Sequence, residues 1–212
     1  MAHLTKESRV YTLRGTTEIL GGLAASREIR TKYIASKAPT PELMEEEAAL
    51  GPDIEEKGLT IFPRDAQDNL CLMDRHIKGF FKEALTALKP QLGIAAPNGK
   101  VDTLVFVEPR YIPIRRDGEK LRDEDSVNER PLRANTMQGP RVSLAASEQI
   151  DTPWEVTFEI TLFPSAATAK SKALTWDAIE AALEYGELHG LGQWRNAGYG
   201  RFVYERTEDE NE

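Results

Sequence analysis

Four glycines near the C-terminal end form two Gly-x-Gly pairs, Gly190-Leu191-Gly192 and Gly198-Tyr199-Gly200. Gln193-Trp194-Arg195-Asn196-Ala197 separates them, and Arg201-Phe202-Val203 follows. Glycine reaches positive φ without penalty and admits another backbone at close range. Two such pairs around an aromatic residue and an arginine predict a loop with amide N–H groups exposed along one edge. That chemistry suits an anion: the amides cradle a phosphate, and Arg195 and Arg201 add charge. The plainer alternative is a helix-to-strand turn in which Gly190 is the left-handed residue closing the helix. Trp194 is the stacking partner if recognition runs through side chains instead.

A second candidate opens the stretch Asp74–Leu88. Ile77, Phe80, Phe81, Ala84, Leu85 and Leu88 repeat at helical spacing, so the two phenylalanines are expected in the core. Asp74 is the expected N-cap. Gly79 in the first turn would open the helix N-terminus to an anion, with Lys78 and Lys82 one turn apart beside it. Two further basic stretches either face a polyanion or are ordinary solvated segments, a helix in the first case and a disordered excursion in the second. One holds Arg27, Arg30 and Lys32; the other, 110–141, holds eight Lys or Arg, including Arg130 and Arg133, among six acids.

Catalytic chemistry finds little support. His76 with Lys78 or Lys82, or His189 beside the glycine loop, offers general acid–base groups for metal-independent RNA cleavage. Each is also explained as an ordinary helix-start or helix-end residue, and no catalytic residue is assigned. One cysteine, Cys71, and three histidines exclude a cysteine-based zinc site and an internal disulfide. No nucleotide-binding or serine-hydrolase motif is present, so neither a metal nor a cofactor is expected.

The formal net charge of −8 argues against nucleic acid at first sight. Its distribution softens that: residues 42–56 hold seven acids and no Lys or Arg, and residues 205–212 hold five acids against Arg206. The remainder is slightly basic. No apolar run approaches the ~18 residues of a membrane span, and the first residues form no apolar signal region. A cytoplasmic protein that does not enter a membrane is expected.

The elements that must position these residues read as follows. Residues 9–20 predict a first strand, and 36–58 a Pro- and Glu-rich acidic insertion. Residues 59–62 and 69–73 predict a hairpin or two neighbouring strands, and 101–107 a buried strand. Asp117-Gly118 is a hairpin-turn signal within a polar excursion, 110–141, too long for an ordinary connection. Residues 142–145 and 156–162 are strands, the latter alternating strictly through Trp154, Val156, Phe158, Ile160 and Leu162. Thr175 caps a helix to about Leu188 with Trp176, Ile179, Leu183 and Gly186 on one stripe. A strand, 202–204, closes the domain before an acidic disordered tail, 205–212. Two helices at matching places among antiparallel strands predict an α+β chain with a ferredoxin-like βαββαβ core, one domain over 1–204.

The doubled glycine loop resembles that of the RAMP superfamily, the RNA-binding proteins of CRISPR systems. There the loop reads Gly-hydrophobic-Gly, about five residues with a basic one, then Gly-hydrophobic-Gly; here Leu191, Arg195 and Tyr199 fill the variable slots. Lys78-Gly79 at the helix entry is similar more loosely, and Ser147-Glu148 before a Pro-Trp turn resembles type III backbone subunits. The resemblance implies single-stranded guide RNA and other subunits, copies of the chain among them, as partners, and a thumb at 110–141. Type III backbone subunits cut RNA with an aspartate after the first strand. Gly21–Ile34 contains Glu28 and no aspartate, so the expectation is a non-catalytic effector backbone subunit. A guide-processing endoribonuclease of the same superfamily is the alternative, and a stand-alone phage or mobile-element relative used for protein assembly is a third.

Overall fold

The computed structural model describes residues 6–25, 58–136 and 139–207; for 132–136 and 139–144 the backbone alone is described. Arg27, Arg30, positions 36–57 of the acidic insertion, Glu208–Glu212 and the side chain of Arg133 lie outside the described residues.

In chain order the elements are β1 (Glu7–Gly15), β2 (Ile19–Leu20), β3 (Leu23–Ala24), β4 (Leu59–Ile61), β5 (Cys71–Met73) and α1 (Asp74–Ala87). Then come α2 (Lys89–Leu92), α3 (Pro97–Leu104), β6 (Val105–Glu108), β7 (Tyr111–Pro113), β8 (Arg115–Arg116) and β9 (Glu119–Lys120). The last are β10 (Ser126–Thr136), β11 (Gly139–Ile150), β12 (Glu155–Leu162), α4 (Trp176–His189) and β13 (Phe202–Thr207). The chain is α+β, with mostly antiparallel strands. The main sheet runs β13-β1-β12-β6, every pair antiparallel, with β8 and β9 continuing beside β12. A second sheet runs β10-β11-β4-β3, with β2 also on β11.

Alternation explains the main sheet. Tyr11 and Leu13 of β1, Val156, Phe158, Ile160 and Leu162 of β12, Val105 and Val107 of β6 and Phe202 of β13 are buried on one face. The expected stripes of α1 (Ile77, Phe80, Phe81, Ala84, Leu85) and α4 (Trp176, Ile179, Leu183, Gly186) cover that face, while Leu88, also expected on the α1 stripe, is the half-buried C-cap of that helix. Burying a large apolar side chain contributes about 1.5–3 kcal/mol, so this layer carries most of the stability. A polar seam lies along β1 and α4. Arg9 donates to Glu180 at 2.8 Å and lies 4.4 Å from the Trp176 ring centre, while Tyr11 donates to Glu180 at 3.1 Å. The Trp176 indole donates to Glu7 at 2.6 Å.

Several boundaries differ from the sequence expectation. Residues 9–20 are two strands in two sheets, because Trp154 fills the bend between them. A Cβ on Gly15 would stand 2.1 Å from its ring, and its indole N–H donates to the Thr17 carbonyl at 2.8 Å. Residues 59–61 and 71–73 join different sheets, linked by the Arg64–Leu70 bridge and a Cys71 N–H to Pro63 bond, not a full hairpin. Residues 101–104 are helical. Pro97 starts α3, and Val101 and Val105 are both buried four residues apart, a spacing that also reads as period two. Much of 110–141 is strand: Asp117-Gly118 turns β8 into β9, and β10 pairs with β11 from Ser126↔Gln149 to Thr136↔Gly139. Residues 205–207, assigned to the tail, belong to β13, where Glu205 opposes Thr12 and pairs with Arg14 at 2.5 Å. Met73, not Asp74, is the N-cap of α1; the Met73 N–H donates to His76 Nδ1 at 3.3 Å, and the Asp74 carboxylate takes the Arg75 N–H.

Gly186 lets α4 settle onto the aromatics of its neighbours. A Cβ there would lie 2.4 Å from Phe202 Cζ and 2.6 Å from Phe80 Cζ. Alanine gains roughly 1 kcal/mol of helix propensity over glycine, but overpacking costs about 1–3 kcal/mol. Gly186→Ala is therefore expected to lower the urea midpoint; an unchanged or raised midpoint would show that the two rings have room to move.

Candidate nucleic-acid interface

The glycine loop, 190–201, leaves the C-terminal end of α4 and lies against the bend between β1 and β2. Most of its amides are engaged inside the chain. Gly190 donates to Gly186 O (2.8 Å), Leu191 to Gly200 O (2.9 Å), Gln193 to Leu20 O (3.3 Å) and Gly200 to Glu18 O (2.6 Å). Ala197 and Gly198 donate to Trp194 O and Arg195 O within a 3-10 turn, Arg195–Ala197. Arg201 N–H donates to Thr17 Oγ1, which itself donates to Gly198 O, each at 2.9 Å.

The glycines answer to the same close packing. A Cβ on Gly200 would stand 1.8 Å from Leu191 O, one on Gly190 2.4 Å from Tyr199 O, and one on Gly192 2.7 Å from Leu20 O. The two Gly-x-Gly pairs are thus packed backbone to backbone, on each other and on the β1–β2 bend. Gly198 differs: its φ is +92°, and a Cβ there would meet only the flexible end of Arg201 at 3.8 Å. Gly190 ends α4 at φ 82°, ψ 176°, which is not the left-handed cap. The N–H groups of Gly190, Leu191, Gln193, Ala197, Gly198, Gly200 and Arg201 are therefore not open to a phosphate, because each already has an acceptor.

Side chains are what it presents. Trp194, 37% exposed and at φ +55°, stacks on Tyr199 with centres 5.3 Å apart and planes 16° from parallel. The guanidinium of Arg130, from β10, lies 4.7 Å from the Trp194 ring centre. Arg130 Nη2 donates to Ser147 Oγ at 3.1 Å, and Asn128 donates to the Tyr199 hydroxyl at 3.0 Å. Burial holds the Arg130 guanidinium below the usual arginine range. Among the described residues no carboxylate pairs with Arg130, or with the exposed Arg201. Arg195 differs, pairing with Glu83 of α1 at 2.5 Å.

Glu83 also accepts from His189 Nε2 at 3.0 Å, while the Tyr185 hydroxyl lies 3.4 Å from His189 Nδ1. Burial raises the Glu83 carboxyl, but the bonds from Arg195 and His189 outweigh it and hold the group below the usual carboxylate range. A groove of about 510 Å³ beside this cluster is lined by Gly79, Lys82, Glu83, Thr86, Asn98 and Tyr185, among others. The structure thus brings Gly79 and Lys82 near Arg195 through Glu83. Gly79 sits in the second turn of α1, not the first, and faces open space. Lys82 pairs with Asp102 at 2.5 Å, and Lys78 donates to the Asp102 carbonyl at 3.2 Å, so both lysines are already partnered. Sequence reasoning missed Tyr199 and Glu83 as members of this cluster. An aromatic residue between two glycines was the signal for the first; nothing in the sequence ties Glu83 to Arg195.

His76 is a poor base. Its Nδ1 accepts the Met73 N–H, which requires the neutral ring, and burial, with Arg75 adding to it, lowers it from 6.5 to about 4. Among the described residues no group of three or more His, Cys, Asp or Glu is placed to hold a metal, and no helix is long and apolar enough to cross a membrane.

Two tests follow from this geometry. Gly200→Ala forces a methyl into a backbone carbonyl, whereas Gly198→Ala meets only backbone strain of about 1 kcal/mol. The melting temperature is expected to fall far more for Gly200→Ala; equal falls would mean that the pairs are not packed on each other. For His76 the folded-state pKa lies below the unfolded one, so the unfolded chain takes up the proton first. Stability is full above 6.5 and declines as pH falls toward 4. Urea midpoints at pH 7 and pH 5.5 should show this decline in the wild type and a smaller one in His76→Gln; identical slopes would contradict it.

No family model matches the chain, and no curated protein matches it. Among solved structures, a chain of one titled "Type IV-B CRISPR Complex" is similar at 11% identity and a TM-score of 0.35, over 97% of this chain and 92% of that one. At that TM-score the likeness carries no argument about function.

Proposed function

We propose that this chain is an RNA-binding, RAMP-like subunit of a multisubunit ribonucleoprotein, without catalysis of its own. Its nearest description is a CRISPR effector backbone subunit that holds single-stranded guide RNA, with other subunits or copies of itself as neighbours. A single ferredoxin-like domain is supported by the main sheet. Strand, helix, strand, strand, helix, strand follow one another as β1, α1, β6, β12, α4 and β13, and the sheet orders them fourth, first, third, second. The domain then ends at Thr207, with 36–58 and 110–141 as its insertions.

One observation carries the RNA reading: Arg130 lies against the Trp194 ring of the Trp194–Tyr199 pair and the Arg201 guanidinium lies beside Gly198, and neither has a carboxylate partner among the described residues. Stacking aromatics interleaved with such cations suit single-stranded nucleic acid. The uncovered face of the main sheet suits it badly. Glu108, Glu155, Glu159 and Glu205 lie there beside Thr12 and Thr157, whose hydroxyls bond at 2.9 Å, and Arg14 is taken up by Glu155 and Glu205. RNA is therefore assigned to the loop side. The same acidic face favours, as the second reading, a role in protein assembly without RNA.

Filter binding of single-stranded RNA over a salt series tests this. Retention is expected at low salt and should weaken as salt rises. Arg201→Ala should weaken it about tenfold, the worth of one charge-assisted hydrogen bond. No retention at low salt, for the protein alone or assembled, would overturn the RNA reading in favour of assembly. A hairpin RNA incubated with the protein should stay intact; cleavage lost in His189→Ala would establish the endoribonuclease instead.

A further inference from the structure

Arg130 is a buried charged side chain that its surroundings satisfy only in part. It is 7% exposed; Nη2 reaches Ser147 Oγ at 3.1 Å, Nη1 reaches Asn128 Oδ1 at 3.3 Å, and Nε is buried without an acceptor. Withdrawing a guanidinium from water without a counter-charge costs several kcal/mol. Trp194 is what covers it, and a cation–π contact returns only about 0.5–2 kcal/mol. The cover is itself held at a cost. Trp194 occupies φ +55°, ψ 35°, a region that a bulky residue enters at about 1–3 kcal/mol, and more than a third of it is exposed. A buried cation with no anionic partner among the described residues thus lies beneath a strained, half-exposed indole.

We propose that Trp194 is a displaceable cover over a phosphate site at Arg130: when the indole moves aside, a phosphodiester oxygen becomes the counter-ion of the guanidinium. The proposal rests on the cationic half of the RNA reading above and reassigns Trp194 from stacking partner to cover, naming the group that receives a phosphate and the residue that conceals it. The surroundings suit an oxyanion. The hydroxyls of Ser147, Thr60 and Tyr199 form one hydrogen-bonded neighbourhood with Asn128 and Arg130, and Arg201 supplies a second unpaired cation beside Gly198. A planar guanidinium fork takes phosphate bidentately. The consequence runs opposite to that of a stacking tryptophan: a stacking ring strengthens RNA binding, whereas a cover competes with it.

Trp194→Gly is the deciding variant, since glycine adopts positive φ without penalty and leaves the loop backbone undisturbed. Arg130→Met keeps the length of the side chain and removes its charge. Fluorescence anisotropy of a labelled single-stranded RNA at low salt should show Trp194→Gly binding roughly five- to tenfold tighter than the wild type, the loss of the one cation–π contact that competes with the phosphate. Arg130→Met in that background should abolish the gain. Inorganic pyrophosphate should raise the melting temperature of Trp194→Gly, but not of the double variant. Unchanged or weaker RNA binding by Trp194→Gly, or a gain that survives Arg130→Met, overturns the proposal. If neither protein binds RNA while pyrophosphate stabilises Trp194→Gly through Arg130, the phosphate site stands and the RNA reading fails. Urea midpoints for all three variants identify any that do not fold. For a variant that fails, Trp194→Ala replaces the glycine and Arg130→Gln the methionine, with the same outcomes required.

Discussion

Backbone packed on backbone, with no side chain between, is the constraint on which the rest of this structure depends. Leu191 donates to Gly200, Gly200 donates to Glu18, and no Cβ fits at Gly190, Gly192 or Gly200. These contacts fasten the segment after α4 to the bend after β1, and so fix where β13 begins its pairing at Gly15↔Phe202. Trp154 supports the bend from the other side through Gly15 and Thr17. The β13 side of the main sheet follows from this junction, since β1 is an inner strand and β13 lies at the edge beside it.

The same junction decides what the loop can offer a ligand. A loop that spends most of its amides on acceptors within the chain presents, among its side chains, Trp194, Tyr199 and the cations around them. Two polar networks then join the loop to its neighbours. Arg195 and His189 share Glu83, tying the loop to α1, while Arg130, Asn128 and Ser147 tie it to the second sheet. A third network braces the second sheet itself: Glu148, 4% exposed, accepts the Phe62 N–H at 2.7 Å and pairs with Arg64 at 3.3 Å. Burial raises the Glu148 carboxyl, although the Phe62 N–H and Arg64 pull it down.

The sequence was most legible where one period had a single interpretation. The alternation of 154–162 and the stripes of α1 and α4 survive intact, because each buries one continuous face. Legibility failed where two periods agree, as at Val101 and Val105, and where a distant residue decides. Nothing near Gly15 announces that Trp154 ends the strand there. The glycine loop was legible in its location and in its need for glycine, but not in the reason. Close approach of another backbone was expected, and it comes from the chain itself, while the ligand was expected at exposed amides, most of which are bonded within the chain. Arg130 was visible only as one base among eight in 110–141; its lack of an acid partner is a property of the folded chain alone.

The central claim is that the loop amides belong to the fold and the loop side chains to the ligand. Amide hydrogen exchange followed by NMR, with and without single-stranded RNA, measures both halves at once. The amides of Leu191, Gly200 and Arg201 are expected to exchange as slowly as those of Tyr11 and Leu13 in β1, with or without RNA. The Trp194 indole resonance should move on RNA addition. Fast exchange of those three amides in the free protein, slowed only when RNA is bound, would contradict the account and return the loop to a backbone cradle for phosphate.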